Sequence, residues 1–365
     1  MKTVHILTFH NALNYGAVLQ CVALYKTIHS ITECDVINYQ SHGISKMYKT
    51  FSRELSIKNN IKGLILAKRT NWKRKTFNEF LKKNINLSKL YSNLNELSNQ
   101  PWNENDIFCV GSDQVWNLDL IEQDSAYFLS FVPENVVKMS YAASIGKELS
   151  DAEITYFQNK LKKFRSISVR ETSIQNRLTD IGITCIQNID PVYLLKKEEW
   201  ENISTTVPEE DRNYVLIYLL QKSKNFVKKA IDYAEFHQKR IVIISTTVQH
   251  KRPGAIYLDN CTPAEFIRYF MKADTIFTNS YHGMAFSIIF NKYFFFEFLE
   301  NKKKFKTNSR LKDIVKLFNL EKQNSAKYKK VPNDLEIRYD YINEIIEKER
   351  TRSLQYLEEA IRINV

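Results

Sequence analysis

Glycine is scarce in this sequence, with eight glycines among 365 residues. Glycine is placed where a side chain does not fit or where φ is positive, so each of the eight is a candidate for a constrained turn. No GxGxxG, P-loop or GxSxG pattern occurs. The sequence therefore lacks the glycine-based signatures of dinucleotide binding, phosphate cradling and serine hydrolysis.

Cysteine is also sparse, and long apolar runs are absent. The five cysteines stand apart without a CxxC pair, several in apolar stretches, which indicates buried reduced thiols and a cytosolic protein. No apolar run approaches about 18 residues and the N-terminus lacks a signal-peptide core, so we expect no membrane-spanning helix and no leader. The seven histidines are dispersed, and no metal site is predicted.

Positive charge, by contrast, is abundant, with a net charge of +12. A basic surface attracts nucleic acid, anionic lipid or phosphorylated metabolites. The charge is concentrated in residues 46–83, where twelve Lys or Arg stand against two acids, Glu54 and Glu79, among aromatic and aliphatic residues. We expect a basic helical insertion at about 44–100. An anionic membrane surface would suit it as a partner, and a solvated insertion is the alternative.

Strand and helix patterns alternate along most of the chain, which predicts parallel sheets. One series opens at 4–9 and another runs over 214–296. We predict an α/β protein with two Rossmann-like domains facing a cleft. The first domain covers residues 1–165, with a C-terminal helix at about 341–365 packing back on it, and the second covers residues 166–340.

Polar residues open the helix that follows the first strand. Asn14, Tyr15, Gly16 and Gln20 lie at this turn, where the N–H groups of a helix start can meet a polar or anionic ligand. The alternative is an ordinary turn with a capping asparagine.

A second polar segment, residues 111–117, follows the strand predicted at 106–110. It contains Asp113, Gln114 and Trp116. A carboxylate accepts hydrogen bonds from sugar hydroxyls, and an indole packs on the apolar face of a sugar ring. The alternative is a capped helix start with a core tryptophan.

The sharpest cluster follows the strand predicted at 275–278. Asn279 and Ser280 end that strand, and His282 and Gly283 begin the next helix. A histidine can act as acid or base near neutral pH, and a glycine permits close approach of a ligand. The alternative is a structural histidine.

Two arginines have the chemistry to clamp a carboxylate or phosphate with paired hydrogen bonds. Arg170 stands at a strand end next to Glu171, and Arg310 follows a basic loop. The alternatives are a surface ion pair at Arg170 and a solvated run of charge at Arg310.

Seven short segments, in order and spanning about residues 11–310, resemble the polysaccharide pyruvyl transferase family. They are Asn14-Tyr-Gly16 with Leu19-Gln20, Gly111-Ser-Asp-Gln-Val-Trp116, Ser140-Tyr-Ala-Ala-Ser144, Ser168-Val-Arg-Glu171, Asp190-Pro191, Thr278-Asn-Ser-Tyr-His-Gly283 and Asn308-Ser-Arg310. Each segment alone is weak evidence, but the ordered set is hard to obtain by chance.

The resemblance implies a fold similar to the two-domain GT-B glycosyltransferases. It also implies an enzyme that moves the enolpyruvyl group of phosphoenolpyruvate onto a sugar. The product would be a pyruvate ketal on a capsular polysaccharide or exopolysaccharide, or on its polyprenyl-diphosphate-linked repeat unit. No metal or organic cofactor is implied, since phosphoenolpyruvate is a co-substrate. We expect a cytoplasmic enzyme, peripheral on the inner face of the cell membrane if the basic segment binds lipid.

On this interpretation the clusters divide between two substrates. His282 would transfer protons, and the donor would contact Arg170, Arg310, Asn279, Ser280 and Gly283. The sugar acceptor would contact Asn14, Tyr15, Gly16, Gln20, Asp113, Gln114 and Trp116.

One position departs from the family pattern. Members carry Arg-Leu-His before the glycine, whereas this chain has Ser280, Tyr281 and His282. The histidine is retained and the arginine is not. Either the phosphate contact has moved to Arg310, Arg170 or a lysine, or the donor differs in this branch.

Two other functions stay open. A GT-B glycosyltransferase that uses sugar nucleotides would share the fold, and Glu297 is a candidate for binding the ribose. A nucleic-acid-binding protein would fit the pI of about 9.2. However, the charge is concentrated in one insertion and no RRM, KH or helix-turn-helix pattern occurs, so we expect no nucleic acid partner.

Overall fold

The computed structural model describes residues 2–48, 57–208, 213–245, 254–299 and 308–362. The chain divides into two compact units, each with its own parallel sheet. Unit 1 comprises residues 1–195 and 348–365, and unit 2 comprises residues 196–347.

Unit 1 is an α/β unit. Its strands are β1 (Val4–Leu7), β2 (Cys34–Tyr39), β3 (Leu87–Tyr91), β4 (Ile107–Val110), β5 (Val137–Ser140), β6 (Ser168–Val169) and β7 (Ile186–Gln187). Its helices are α1 (Tyr15–His29), α2 (His42–Met47), α3 (Ile57–Asn84), α4 (Leu94–Ser98), α5 (Leu118–Ile121), α6 (Asp151–Leu161) and α7 (Thr172–Asp180). Short 3-10 turns lie at Ser125–Phe128 and Pro191–Tyr193.

The main sheet of unit 1 has the order β3-β2-β1-β4-β5, and all neighbouring strands run parallel. The central strands β1 and β4 are apolar except for His5 and are completely or almost completely buried. This burial is expected for the middle of a parallel sheet. Strands β6 and β7 form a separate parallel pair.

The segment predicted as a basic helical insertion contains α3, but it also contains the strand β3, which the sequence did not predict. Strand β3 is the edge of the sheet, and its exposed Lys89 and Leu90 give it only a weak apolar pattern. Helix α3 packs on unit 1 through Phe77 and Leu81, both about 1% exposed. Residues 49–56, also part of the prediction, lie outside the described residues.

Unit 2 repeats the same plan. Its strands are β8 (Tyr214–Leu219), β9 (Arg240–Ser245), β10 (Ala255–Tyr257), β11 (Thr275–Thr278) and β12 (Tyr293–Phe296), in the order β10-β9-β8-β11-β12 and all parallel. Its helices are α8 (Lys197–Ile203), α9 (Lys224–Phe236), α10 (Pro263–Lys272), α11 (Tyr281–Ile289) and α12 (Ser309–Leu317). Short 3-10 turns follow at Glu321–Gln323 and Ser325–Lys327.

The division between the units falls after Leu195, not after residue 165 as the sequence predicted. Residues 166–195 stay with unit 1 because β6 continues its hydrogen bonding, for example from Ser168 N to Ser140 Oγ at 2.9 Å. The last helix, α13 (Tyr339–Arg362), begins in unit 2, and its residues from Lys348 onward belong to unit 1. There the Tyr356 hydroxyl donates to Ser140 O at 2.8 Å.

Candidate functional site

In both sheets the strand order reverses beside the first strand, and ligands of such folds bind beyond the carboxyl ends of the strands at this point. In unit 1 the loops after β1 and β4 lie there. Asn14, in the first of them, caps α1: its Oδ1 accepts from the N–H of Gly16 at 2.9 Å and of Ala17 at 3.4 Å. The Gly16 N–H, predicted to meet a ligand, is therefore already used within the helix start.

Gln20 connects helix α1 to the loop after β4. Its Nε2 donates to Thr8 Oγ1 at 2.9 Å, and Thr8 Oγ1 donates to Ser112 O at 3.0 Å. Gln20 is completely buried, and its predicted contact with an acceptor stays a prediction. Its amide fixes the loop that carries Asp113.

Asp113 lies on a tightly held loop. Gly111 before it has φ +125°, and a Cβ there would meet Tyr141 O at 2.2 Å, so only glycine fits. Asp113 itself has φ +67°, a left-handed conformation that Asp tolerates better than most residues. Its carbonyl accepts from Ser144 N at 2.9 Å. The backbone therefore fixes the direction of the Asp113 side chain.

Trp116 lies in the core of unit 1. It is completely buried, and its Nε1 donates to Tyr127 O at 3.0 Å. Its ring stacks on Phe128 with 6.0 Å between centres and meets Phe157 and Phe164 edge-on. No face of the indole reaches solvent, which matches the alternative of a core tryptophan, and packing of Trp116 on a sugar stays a prediction.

Of the predicted acceptor residues, Asn14, Asp113 and Gln114 remain partly exposed. Gln114 Oε1 accepts from Asn117 Nδ2 at 2.8 Å. Tyr15 is 4% exposed and packs its ring 5.1 Å from that of Phe77, so it is largely a packing residue. A role for the three exposed residues in binding an acceptor stays a prediction.

Arg170 lies in unit 1, whereas the sequence predicted it in the same domain as His282. Its guanidinium forms an ion pair with Asp190, and its second terminal nitrogen lies 3.7 Å from Asp113 Oδ1. The Arg170 and Asp190 side chains are only 3% and 0% exposed. This buried arrangement is neither the surface pair nor the accessible anion clamp that the sequence suggested.

The loop after β11 takes the corresponding place in unit 2. Asn279 Oδ1 accepts from Leu220 N at 2.9 Å and its Nδ2 donates to Gln221 O at 2.8 Å, which ties this loop to the one after β8. Ser280 caps α11, its Oγ accepting from Gly283 N at 3.3 Å. Both side chains are about 1% exposed. They position the loop, and their predicted direct contact with a donor stays a prediction.

Gly283 serves packing within unit 2. A Cβ at this position would meet Thr278 Oγ1 at 2.1 Å and the Tyr218 side chain at 3.0 Å. The absent side chain therefore allows α11 to approach β11 and β8. The sequence had predicted a close approach of ligand instead.

His282 occupies the first turn of α11 and is 7% exposed. Tyr281 meets it edge-on, with 5.1 Å between the ring centres. The guanidinium carbon of Arg310, a partly exposed residue of α12, lies 5.5 Å from the centre of the Tyr281 ring. The fold thus brings one histidine and one arginine onto the same tyrosine.

Two residues to which the sequence analysis gave no role of their own support these clusters. Lys73 of α3 places its ammonium 4.6 Å from the centre of the Tyr15 ring, a cation–π contact. Asn308 holds the start of α12: its Oδ1 accepts from Leu299 N at 3.0 Å and its Nδ2 donates to Leu299 O at 2.9 Å. Asn308 belongs to the ordered motifs, whereas Lys73 is one of many lysines in its segment and carried no distinguishing signal.

The five cysteines are free and buried, as predicted. Burial raises the pKa of Cys34 and of Cys109 to about 12, so neither thiol is reactive near neutral pH. Within the described ranges, no helix is long and apolar enough to cross a membrane. Over the same residues, no group of three or more His, Cys, Asp or Glu is arranged to hold a metal ion.

Solved structures of similar architecture establish the fold class. The chain is similar over 98% of its length to 99% of the Anabaena protein Alr3699/HepE in complex with UDP and glucose, with a TM-score of 0.52 and 9% identity. It is also similar over 100% of its length to 99% of the Methanocaldococcus jannaschii UDP-GlcNAc 2-epimerase in complex with UDP-GlcNAc and UDP, with a TM-score of 0.50 and 11% identity. At such identities the similarity shows the fold alone. The fold is GT-B-like, with two Rossmann-type units, as predicted.

The sequence itself gives the family. No curated protein matches the chain significantly. The model of the polysaccharide pyruvyl transferase family matches residues 14–296, a range that begins at Asn14, contains the loops after β4 and β11 and ends before Arg310. The chain belongs to the polysaccharide pyruvyl transferase family, as the ordered motifs predicted. Membership implies a transferase with a polysaccharide acceptor.

Proposed function

We propose that this protein transfers the enolpyruvyl group of phosphoenolpyruvate to a sugar of a capsular polysaccharide or exopolysaccharide, or of its lipid-linked repeat unit. The product is a pyruvate ketal. The observation that carries the proposal is the placement of His282 and Arg310 around Tyr281, at a strand end of a chain of this family. Phosphoenolpyruvate has two anionic groups and a methylene carbon that must be protonated. An arginine and a histidine are the side chains that meet these two needs.

The proposed reaction begins with transfer of a proton from His282 to the methylene carbon of phosphoenolpyruvate. The resulting oxocarbenium-like carbon is attacked by one sugar hydroxyl, which loses its proton. A second hydroxyl of the same sugar then displaces phosphate and closes the ketal. Proton transfer by a positioned side chain accelerates such steps by about 10²–10⁴. The reaction uses phosphoenolpyruvate as co-substrate and no organic cofactor.

Arg310 takes over, in this proposal, the phosphate contact that the family arginine makes at the position of Ser280. The support is that Arg310 packs on Tyr281, the residue next to Ser280. The positive end of α11 adds to the attraction for the leaving phosphate. Because Asn308 anchors the start of α12, the Arg310 side chain leaves the backbone from a fixed point.

The sugar acceptor is proposed to bind unit 1 at Asn14, Asp113 and Gln114. These residues offer carboxylate and amide groups, which pair with neutral hydroxyls, and they are partly exposed at the carboxyl ends of β1 and β4. Phosphoenolpyruvate, an anion, is better matched to unit 2.

Ligand-induced stabilisation separates this function from its alternative. A ligand at about 100 times its Kd stabilises the folded state by about 2.7 kcal/mol. We expect phosphoenolpyruvate to raise the thermal unfolding midpoint of the parent chain, and to do so less for Arg310→Gln. A rise with UDP-, GDP- or CMP-sugars and none with phosphoenolpyruvate would favour a sugar-nucleotide glycosyltransferase. In that case Glu297, whose Oε2 accepts from Ser223 Oγ at 3.0 Å, becomes the residue to test.

Helix α3 supports a proposed peripheral position on the cytoplasmic face of the cell membrane. Among its residues from 67 onward, the exposed basic side chains are Lys68, Arg74, Lys75, Lys82 and Lys83. Each basic residue near an anionic bilayer contributes about 1 kcal/mol. We expect co-sedimentation with liposomes that contain phosphatidylglycerol and none with phosphatidylcholine alone. Equal sedimentation with both would remove the membrane from the proposal.

A further inference from the structure

The buried ion cluster of unit 1 consists of Arg170, Asp190 and Asp113. They follow β6, β7 and β4 respectively, so three different loops contribute one charged group each. Arg170 pairs with Asp190 and has a terminal nitrogen 3.7 Å from Asp113 Oδ1. The side chains of Arg170, Asp190 and Asp113 are 3%, 0% and 13% exposed. Asp113 is therefore the member of the cluster that reaches the surface.

The charges of this cluster disfavour an anionic ligand. Within this cluster one guanidinium faces two carboxylate groups. A phosphate or carboxylate brought to Arg170 would have to displace Asp113 or add a third negative group in a poorly hydrated place. A neutral hydroxyl meets no such opposition, because it donates its hydrogen to a carboxylate oxygen.

Backbone hydrogen bonds fix the two carboxylates of the cluster, and Arg170 lies between them. Asp190 Oδ1 accepts from Val192 N at 3.0 Å, so the inner carboxylate is tied to backbone. Asp113 Oδ1 accepts from Gln114 N at 2.9 Å, and the φ of Asp113 is +67°. Arg170 bridges these two anchored carboxylates. In this position the Arg170 guanidinium can orient the carboxylate of Asp113.

We infer that Arg170 is a positioning residue for the acceptor and not a ligand of the donor. Backed by Asp190, it fixes the carboxylate of Asp113, which accepts a hydrogen bond from a hydroxyl of the acceptor sugar. This inference rests on the proposed function only in placing the acceptor on unit 1. It removes Arg170 from the residues considered for the phosphate contact, in agreement with the proposed role of Arg310.

The test removes the buried pair without leaving a lone charge, using Arg170→Gln combined with Asp190→Asn. The matched control is Arg177→Gln with Asp151→Asn, an ion pair on the surface of the same unit, where the two side chains are 37% and 92% exposed. Asp113→Asn is the third variant. Circular dichroism and thermal unfolding establish that each variant is folded.

Two ligands are then measured separately, without turnover. Binding of phosphoenolpyruvate is followed by calorimetry, and binding of the methyl glycosides of glucose, galactose and mannose by saturation-transfer NMR. We expect the buried-pair variant to bind phosphoenolpyruvate within about twofold of the parent. Its glycoside signal should fall as it does in Asp113→Asn. In assays of transfer, the acceptor kcat/KM should fall by about 10²-fold, the usual effect of a misplaced binding group.

A tenfold or greater loss of phosphoenolpyruvate affinity with unchanged glycoside binding would make Arg170 a donor ligand and overturn the inference. Unchanged binding of both ligands would show that the Arg170–Asp190 pair has only a structural role. This result would also overturn the inference. Absence of a glycoside signal from the parent chain would also end it, since Asp113 then offers no hydroxyl site. Failure of the parent chain to bind phosphoenolpyruvate counts against the proposed donor alone, because the glycoside comparison still decides the role of Arg170.

Discussion

The strand ends of the two units have the same topology and opposite chemistry. In unit 1 the carboxylates of Asp113 and Asp190 enclose one arginine, Arg170, and only Asp113 reaches the surface to a useful extent. In unit 2 the corresponding loop presents His282 beside Tyr281, with Arg310 packed on that ring. The first arrangement suits hydroxyl donors and the second suits an anion that needs a proton.

The two sheets share one strand order, and this order fixes only the positions of the loops. Both sheets have their first strand in the centre and the reversal of strand order beside it. The chemistry differs because the loops that follow equivalent strands carry different residues, which is how Rossmann-like folds take different ligands. A two-substrate transferase needs such a difference between its halves.

The largest expected effect follows from removing the histidine of unit 2. We expect His282→Ala to lower the turnover number by about 10²–10⁴, since the variant lacks the proposed proton donor. Initial rates of phosphate release from phosphoenolpyruvate in the presence of acceptor measure this effect. The matched control is His237→Ala, at the end of α9 in the same unit, where Nε2 contacts Asn333 at 3.0 Å.

A turnover number of His282→Ala within a few fold of that of the control would contradict the proposed role of His282 in proton transfer. The thermal unfolding midpoint of both variants should stay close to that of the parent. A large drop for His282→Ala alone would mark His282 as a structural residue.

The next effect concerns stability in unit 1. We expect Trp116→Ala to lower the free energy of unfolding by about 3–5 kcal/mol, because it leaves a cavity among aromatic rings. Urea unfolding followed by circular dichroism measures it. Trp72→Ala, at a partly exposed position of α3, should cost clearly less. If Trp116→Ala had normal stability but no longer bound acceptor, Trp116 would be a residue of the acceptor site.

The smallest effect concerns His5, in the central strand β1 of the unit 1 sheet. His5 Nδ1 lies 2.9 Å from Asp35 and its Nε2 lies 3.2 Å from Asp106, with Trp102 and Phe108 packed on the ring. Burial acts to lower the pKa of His5, but the hydrogen bonds and charges of the two carboxylates outweigh it and raise that pKa.

A raised pKa in the folded state means that His5 stabilises unit 1 most when protonated. This contribution is fully present below the ordinary histidine pKa of about 6.5 and is lost as the pH rises through the higher folded-state pKa. We expect His5→Gln to lower the unfolding free energy by about 1.5–3 kcal/mol at pH 6, the range for hydrogen bonds to charged groups. The difference from the parent should shrink above neutrality.

Urea titrations of parent and His5→Gln between pH 5.5 and 9 measure this dependence. His5 is the second residue of the first strand in unit 1, whereas the second residue of the first strand in unit 2, β8, is Val215. We therefore expect the pH-dependent effect on stability in unit 1 alone. A difference that stays constant with pH would show that His5 contributes through packing alone.

Much of the fold was predictable because hydrophobic periodicity is a local signal. Strand β11 lies at the predicted residues 275–278, and β4 lies within the predicted range 106–110. The edge strand β3 was missed because an exposed edge needs no continuous apolar run. The unit boundary was misplaced because the hydrogen bonds that keep β6 with β5 leave no mark on composition.

The sequence by itself determined the family, the two αβ series and the residue types at the strand ends, since each is written in short contiguous segments. Only the tertiary structure decided which of those residues face inward. Trp116 and Gln20 turn into unit 1, and Arg170 meets two carboxylates from distant segments. A side chain's direction depends on loop backbone that is fixed by long-range hydrogen bonds, and such bonds join residues that one-dimensional patterns cannot pair.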